Sequence, residues 1–280
     1  MVKTPQSITP IFDTKRRNQK RLRAQNRNAD YGERPFLLHE ADEGIADRLF
    51  PVSRHFSRGL HIGPRSPEWF RYATEWQQGY FDEAEALQAE GVFDLILCLP
   101  ELHAISDLPG ALAQIRSHLA PDGLFLAALF GGDTLQELRT CLTEAESLIR
   151  GSALHRIPPF AEVPDLGRLL QRTHFTMPIA DSERTTVKYR ALDKLVRDLR
   201  DMGETGPLAT TTPPLTRTVW TATQALYSAG FQTDGCFIAT FDIVYLTGWA
   251  PPTHAGRPTG AHPPKGQTRT IIRRAQKPTK

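Results

Sequence analysis

Four stretches of the chain combine residue types that can do chemistry. Pro100-Glu101-Leu102-His103 carries an imidazole able to act as a base or orient a substrate near neutral pH. Gly131-Gly132-Asp133-Thr134 joins a glycine turn to an acid, with Arg139 following closely. Leu60-His61-Ile62-Gly63-Pro64 turns around one glycine, and Asp82-Glu83 is an adjacent acidic pair. Each also has a structural reading: His103 as a satisfied buried histidine, the glycines as turn residues, Asp133 and Arg139 as cap and ion-pair residues. No metal set is predicted. The nine histidines are dispersed, none forms His-x-His or His-x-Asp, and Cys98, Cys141 and Cys236 are scattered in apolar surroundings.

The elements that must position these residues read as a parallel sheet. Val92 to Leu99 is an unbroken apolar run of one strand's length, the pattern of a strand covered on both faces. Asp107 can cap a helix with Leu108, Ala111, Leu112, Ile115 and Leu119 at helical spacing. Pro121-Asp122-Gly123 turns the chain into a second run, Leu124 to Phe130. Asp133 then caps a helix with Leu135, Leu138, Leu142 and Ala145 inward, broken at Gly151. This βαβα order predicts ligands at the carboxyl ends of the strands, where His103 and Gly131-Gly132-Asp133 fall. Upstream, a helix from Phe36 to about Leu49 leads into a first strand near Phe56–Ile62. Downstream, a helix from Asp165 to Thr173 precedes a short strand within 175–189. Two amphipathic helices follow, one through Leu192, Leu195, Leu199 and Met202 and one through Val219, Thr223 and Tyr227, before a long strand, Cys236 to Trp249.

The stretch FDLILCLPELHAISDLPGAL followed by PDGLF resembles the fourth and fifth strands of a class I S-adenosylmethionine (SAM) methyltransferase. FGGDTLQELR, Phe130 to Arg139, resembles a narrower group: mitochondrial complex I assembly factor five, its bacterial relatives and, more distantly, the malonyl-acyl carrier protein methyltransferases. The blocks 165–170, 198–205 and 241–249 fit the same group, and the resemblance runs from about Phe12 to Pro251. It implies an α/β fold with a Rossmann-like, mostly parallel sheet and a helical cap at about 190–230. It implies SAM as cofactor, with Gly63, Asp82, Glu83 and Leu99 around it, and His103 in a family histidine position. Gly131, Gly132, Asp133 and Arg139 would line the substrate cleft. The implied substrate is a protein or a carrier-bound group, the partner a respiratory complex I subunit or an acyl carrier protein. The assembly factor is associated with arginine hydroxylation, for which the residue spacing here offers no explanation.

The chain departs from that pattern where SAM would bind. The family turn is glycine-rich, because the backbone must approach the cofactor without a Cβ in the way. Here one glycine survives, His61 stands for the acid, and Pro64 and Pro67 remove backbone donors. Only 18 residues separate Gly63 from Asp82, too few for a three-turn helix and a strand with their connections. The second strand and its helix are therefore expected to be reduced to Trp69–Gln78, read as a short helix, with Trp69 and Trp76 as plugs rather than adenine stackers. Two readings stay open: a SAM-dependent enzyme, or a methyltransferase-fold assembly factor that binds no cofactor, a pseudoenzyme.

Charge adds a third feature. Lys15, Arg16, Arg17, Lys20, Arg21, Arg23 and Arg27 fall within thirteen residues without an acid, a solvated basic helix or a contact for an acidic partner. The net charge of +3 is too modest to imply a nucleic-acid partner. No apolar run nears transmembrane length, and three unpaired cysteines fit a reducing, cytoplasmic setting. The expected organisation is a basic segment, 1–35, a methyltransferase-like domain, 36–250, and a disordered Pro-rich basic tail, 251–280.

Overall fold

The computed structural model describes residues 10–31, 35–64, 67–210 and 212–253. The tail beyond Thr253 lies outside them. Eight strands form one sheet in the order β3-β2-β1-β4-β5-β8-β6, with β7 on the end of β8. They are β1 (Phe56–Ile62), β2 (Ala73–Phe81), β3 (Leu87–Gln88), β4 (Phe93–Cys98), β5 (Leu119–Phe130), β6 (Thr176–Tyr189), β7 (Gln232–Thr233) and β8 (Cys236–Trp249). β2, β1, β4 and β5 run parallel, and β8 lies antiparallel between β5 and β6.

Burial explains why the central strands are apolar throughout. In β4 and the residue after it, Leu95, Leu97 and Leu99 enter one core and Ile96 and Cys98 the other. In β5, Leu124, Leu126, Ala128 and Phe130 face the first core, and Phe125, Ala127 and Leu129 the second. With period-2 side-chain alternation, a strand covered on both faces has no polar face left. Helices α2 (Phe36–Leu49), α4 (Gln136–Arg150), α6 (Leu192–Asp201) and α7 (Arg217–Gly230) supply residues to the first core. Helices α3 (Leu108–Ser117) and α5 (Val163–Arg172) supply the second. Asp107 does cap α3, accepting from the Gly110 N–H at 2.9 Å.

Several expectations are corrected. Trp69–Gln78 is not a helix. A 3-10 turn, Pro67–Arg71, leads into β2, which pairs parallel with β1 from Phe56↔Ala73 to Ile62↔Gly79. Parallel neighbours need a crossover, and here the reduction falls on the crossover helix rather than on the strand. Trp69 is a plug, 2% exposed in the core, and Trp76 lies over Gly59, where a Cβ would meet its ring at 2.6 Å. Leu119 opens β5 instead of closing α3, and Pro121-Asp122-Gly123 forms an irregularity inside the strand with Asp122 at φ 57°. Asp133 does not cap α4. Leu135, at φ 57°, occupies the cap position, and the Asp133 carboxylate pairs with Arg184. β6 is 14 residues long, because β8 offers it a partner along that whole length.

Candidate functional site

The strand order reverses between β1 and β4, and their carboxyl ends meet there: the Leu99 N–H donates to the Ile62 carbonyl at 3.0 Å. Such a switch point is where open α/β sheets bind ligands. Gly63 has φ +89°, and a Cβ on it would lie 3.0 Å from the Leu99 carbonyl oxygen. Gly63 and Leu99 are thus brought together, and the chain's own backbone already requires glycine there.

Asp82 and Glu83 follow the end of β2, but Asp82 is committed to its own turn. Its Oδ1 accepts from the Ala84 and Ala86 N–H groups at 2.8 and 2.9 Å, and its Oδ2 from Gln88 Nε2 at 2.8 Å. Glu83 is exposed and lines a surface groove beside the start of α1 (Thr14–Tyr31). Glu85, at φ 59°, accepts from the Ser106 and Asp107 N–H groups, both at 2.8 Å, and ties this turn to the loop after β4.

Helix α1 is the largest departure from the sequence expectation of a solvated basic helix. Thr14, Arg17 and Ala24 are buried on one face, with Arg21 half-buried between them, the spacing of a helical stripe. Arg17 Nη1 donates to the Ala104 carbonyl at 2.7 Å, and Nη2 lies 3.0 Å from Glu101 Oε1. Arg21 Nη1 pairs with Glu101, while its Nη2 donates to the Pro100 carbonyl at 2.8 Å and to Glu204 Oε1 at 2.9 Å. Glu204 Oε2 in turn lies 2.9 Å from His103 Nε2. A continuous chain of ion pairs ending in a hydrogen bond, Arg17–Glu101–Arg21–Glu204–His103, therefore crosses the carboxyl end of β4.

The protonation states follow from that chain. Burial alone would raise the Glu204 pKa, but His103 and Arg21 outweigh it and hold the carboxyl at about 2. Burial lowers the His103 pKa despite Glu204, and it lowers Arg17 to about 10. A carboxylate only accepts, so the neutral imidazole carries its proton on Nε2. Nδ1 is then a lone-pair acceptor, buried and without a partner among the described residues. The ring packs against Phe130 and Phe160, with centroids 4.8 and 6.0 Å away.

Beyond Phe130 and Phe160 lies an apolar cavity of about 150 Å³ under α6 and α7. Leu138, Leu142, Leu199 and Trp220 wall it, with Glu204 and Arg156 among its few polar groups. None of the four residues read as the substrate cleft lines this cavity. Gly131 donates its N–H to the Asp242 carbonyl at 2.8 Å, and a Cβ on Gly132 would collide with the Glu162 carboxylate. Arg139 Nη2 donates to the Thr134 carbonyl at 3.1 Å, so it braces the Gly131–Thr134 turn. Sequence reading named Glu101 only as a neighbour of His103 and Arg17 and Arg21 only within the basic run, and gave Glu204 no role of its own. Their only signals were the i, i+4 spacing of the arginines and the place of Glu204 in the 198–205 block. Among the described residues no group of His, Cys, Asp and Glu converges as a metal site.

Sheet order, switch point and helices inserted between β6 and β8 define a class I methyltransferase fold. A methyltransferase-domain family model matches residues 70–178, and the YcgJ protein of Bacillus subtilis shares the fold at 13% identity, over 75% of this chain and 99% of that one, with a TM-score of 0.50. Human mitochondrial arginine-hydroxylase NDUFAF5 is 33% identical over 240 residues, covering 76% of this chain and 70% of its own length. The chain belongs to the NDUFAF5 family. A malonyl-[acyl-carrier protein] O-methyltransferase of Xylella fastidiosa is 35% identical over 173 residues, covering 61% of this chain and 57% of its own.

Proposed function

We propose that this protein is an assembly or interaction factor built on a methyltransferase fold, with its own N-terminal helix seated at the strand ends where a cofactor would be expected. The observation that carries the reading is the charge chain from Arg17 to His103, which fixes α1 onto the loop after β4. SAM requires close backbone approach, a ribose carboxylate and free acceptors for the adenine amino group. Gly63 is followed by Pro64, His61 stands for the acid of the first turn, and Asp82, at the end of β2 where a ribose acid would stand, has one oxygen engaged by its own turn and the other by Gln88. These residues do not fit SAM in the manner the family pattern implies. The proposed partner is a protein, with a respiratory complex I subunit or an acyl carrier protein the two candidates that the sequence resemblance implies. Two buried free cysteines, Cys98 and Cys141, favour a reducing, cytoplasmic setting, although the NDUFAF5 relative is mitochondrial. Among the described residues no helix is long and apolar enough to cross a membrane.

One observation favours a second reading. The apolar cavity has Glu204 in its wall and His103, with an unpartnered Nδ1, directly behind. In that reading the chain is catalytic on a protein side chain or carrier-bound group, with arginine the side chain named by the relatives. Calorimetric titration of the purified protein with SAM, and in parallel with S-adenosylhomocysteine, separates the two. The assembly-factor reading expects no binding up to millimolar cofactor. Micromolar binding would overturn it and make His103 and Glu204 the first residues to test for activity.

A further inference from the structure

A groove of about 480 Å³ opens on the outer side of the cap, between α6 and the start of α7. Arg197, Arg200 and Arg217 line it, all exposed and none within ion-pair distance of a carboxylate among the described residues. Of the acids nearby, Asp201 pairs with Arg27, while Asp193, which accepts from Trp220 Nε1 at 3.1 Å, and Asp198, which bonds Tyr189, keep their charge and offset part of the arginines'. The floor of the groove is apolar. Val196, Leu215 and Trp220 form it, and the same three residues belong to the wall of the 150 Å³ cavity inside the cap. Three guanidinium groups against one lining carboxylate, Asp193, with Asp198 acting on Arg197 from nearby, thus leave an excess of positive charge at the mouth of an apolar chamber, with one shared partition between them. An excess of like charge on one groove favours an anion, and guanidinium groups suit phosphate and carboxylate oxygens in particular. An apolar cavity favours an apolar group in place of water.

We propose that the cap binds a single-chain anionic amphiphile, with a phosphate or carboxylate head on Arg197, Arg200 and Arg217 and the apolar tail passing between Leu215 and Trp220 into the cavity. The site is independent of whether SAM binds at the sheet, since none of its groove residues comes from the strand ends.

The test is calorimetric titration of the full chain, below micelle-forming concentrations, with lauryl phosphate, laurate, inorganic phosphate and dodecyltrimethylammonium. Lauryl phosphate or laurate binds in the micromolar range, and whichever is at least tenfold tighter identifies the head group. Inorganic phosphate and the cationic amphiphile bind at least tenfold more weakly. Arg197→Ala combined with Arg217→Ala weakens amphiphile binding tenfold or more with the melting temperature unchanged, because both side chains are exposed. Leu215→Trp, at a position 40% exposed, blocks the tail and leaves only phosphate-like affinity. Equal affinity for inorganic phosphate and lauryl phosphate would overturn the tail, and binding indifferent to the arginine substitutions would overturn the head. Absence of binding by either anionic amphiphile at millimolar concentration would overturn both.

Discussion

Glu204 sits where burial and charge pull in opposite directions, and charge wins. With Arg21 and His103 within 2.9 Å, its carboxyl stays ionised down to about pH 2. Glu204→Gln keeps the volume and removes the charge, leaving Arg21 with Glu101 alone. We expect a loss of about 3 kcal/mol in urea denaturation at pH 7, the low end for breaking a buried ion pair. A loss below about 1 kcal/mol would mean that the cluster behaves as a surface pair. Gly63 tests the switch point separately. Alanine there must adopt a left-handed φ and press on the Leu99 carbonyl, so Gly63→Ala should cost about 1–3 kcal/mol. Gly151→Ala, also left-handed but with open space around it, should cost about 1 kcal/mol. Equal costs at the two positions would show that the contact with Leu99 contributes nothing.

At the scale of elements, α1 shows what a sequence can and cannot disclose. Its buried stripe at 14, 17, 21 and 24 was present in the residue order, although two of its four members are arginines and composition alone reads as solvated. The partners were not legible. Glu101 and Glu204 lie 80 and 183 residues from Arg21, and nothing local links them. β2 was misread for a related reason. Its aromatic and polar residues alternate poorly, and the choice of strand over helix rests on pairing with β1, a long-range event. The central strands β4 and β5 were legible because burial on both faces writes unbroken apolar text, and the long β8 because its apolar residues recur, alternating in part, over fourteen positions. Removing the guanidinium that α1 buries should release the helix and leave the sheet intact. Arg17→Ala is expected to cost about 3–5 kcal/mol and to raise amide exchange at 100–106 and 203–207, while Arg23→Ala, fully on the outer face, stays within about 0.5 kcal/mol. If exchange rises uniformly across the sheet instead, α1 is part of the global folding unit rather than a seated helix.

Across the whole molecule, the cluster that joins α1, the loop after β4 and the loop after α6 should govern response to acid. Both of its titrating members act in the same direction. His103 has a folded pKa below its usual 6.5, so as pH falls through 6.5 the unfolded chain takes up a proton that the native state refuses. Glu204 falls from 4.5 to about 2, so below pH 4.5 the unfolded chain again binds the extra proton. Stability declines on acidification wherever the unfolded state binds more protons. Asp198 and Asp242, whose pKa values burial raises, offset part of this above their usual 3.8. They are common to wild type and variant, so a difference profile removes them. Urea denaturation of wild type and His103→Phe at pH 7, 5.5 and 4.5 isolates the histidine. The phenyl ring can keep the packing against Phe130 and Phe160, and the variant should start less stable at pH 7 because Glu204 loses a hydrogen-bond donor. The gap should then narrow as pH falls from 7 to 4.5, because the variant has no imidazole for the unfolded state to protonate. Profiles that stay parallel over that interval would mean that His103 takes its proton as readily in the native protein as in the unfolded chain. The Nε2 proton would then be shared with Glu204 as an ion pair, and α1 would be held to the sheet by a fully charged cluster.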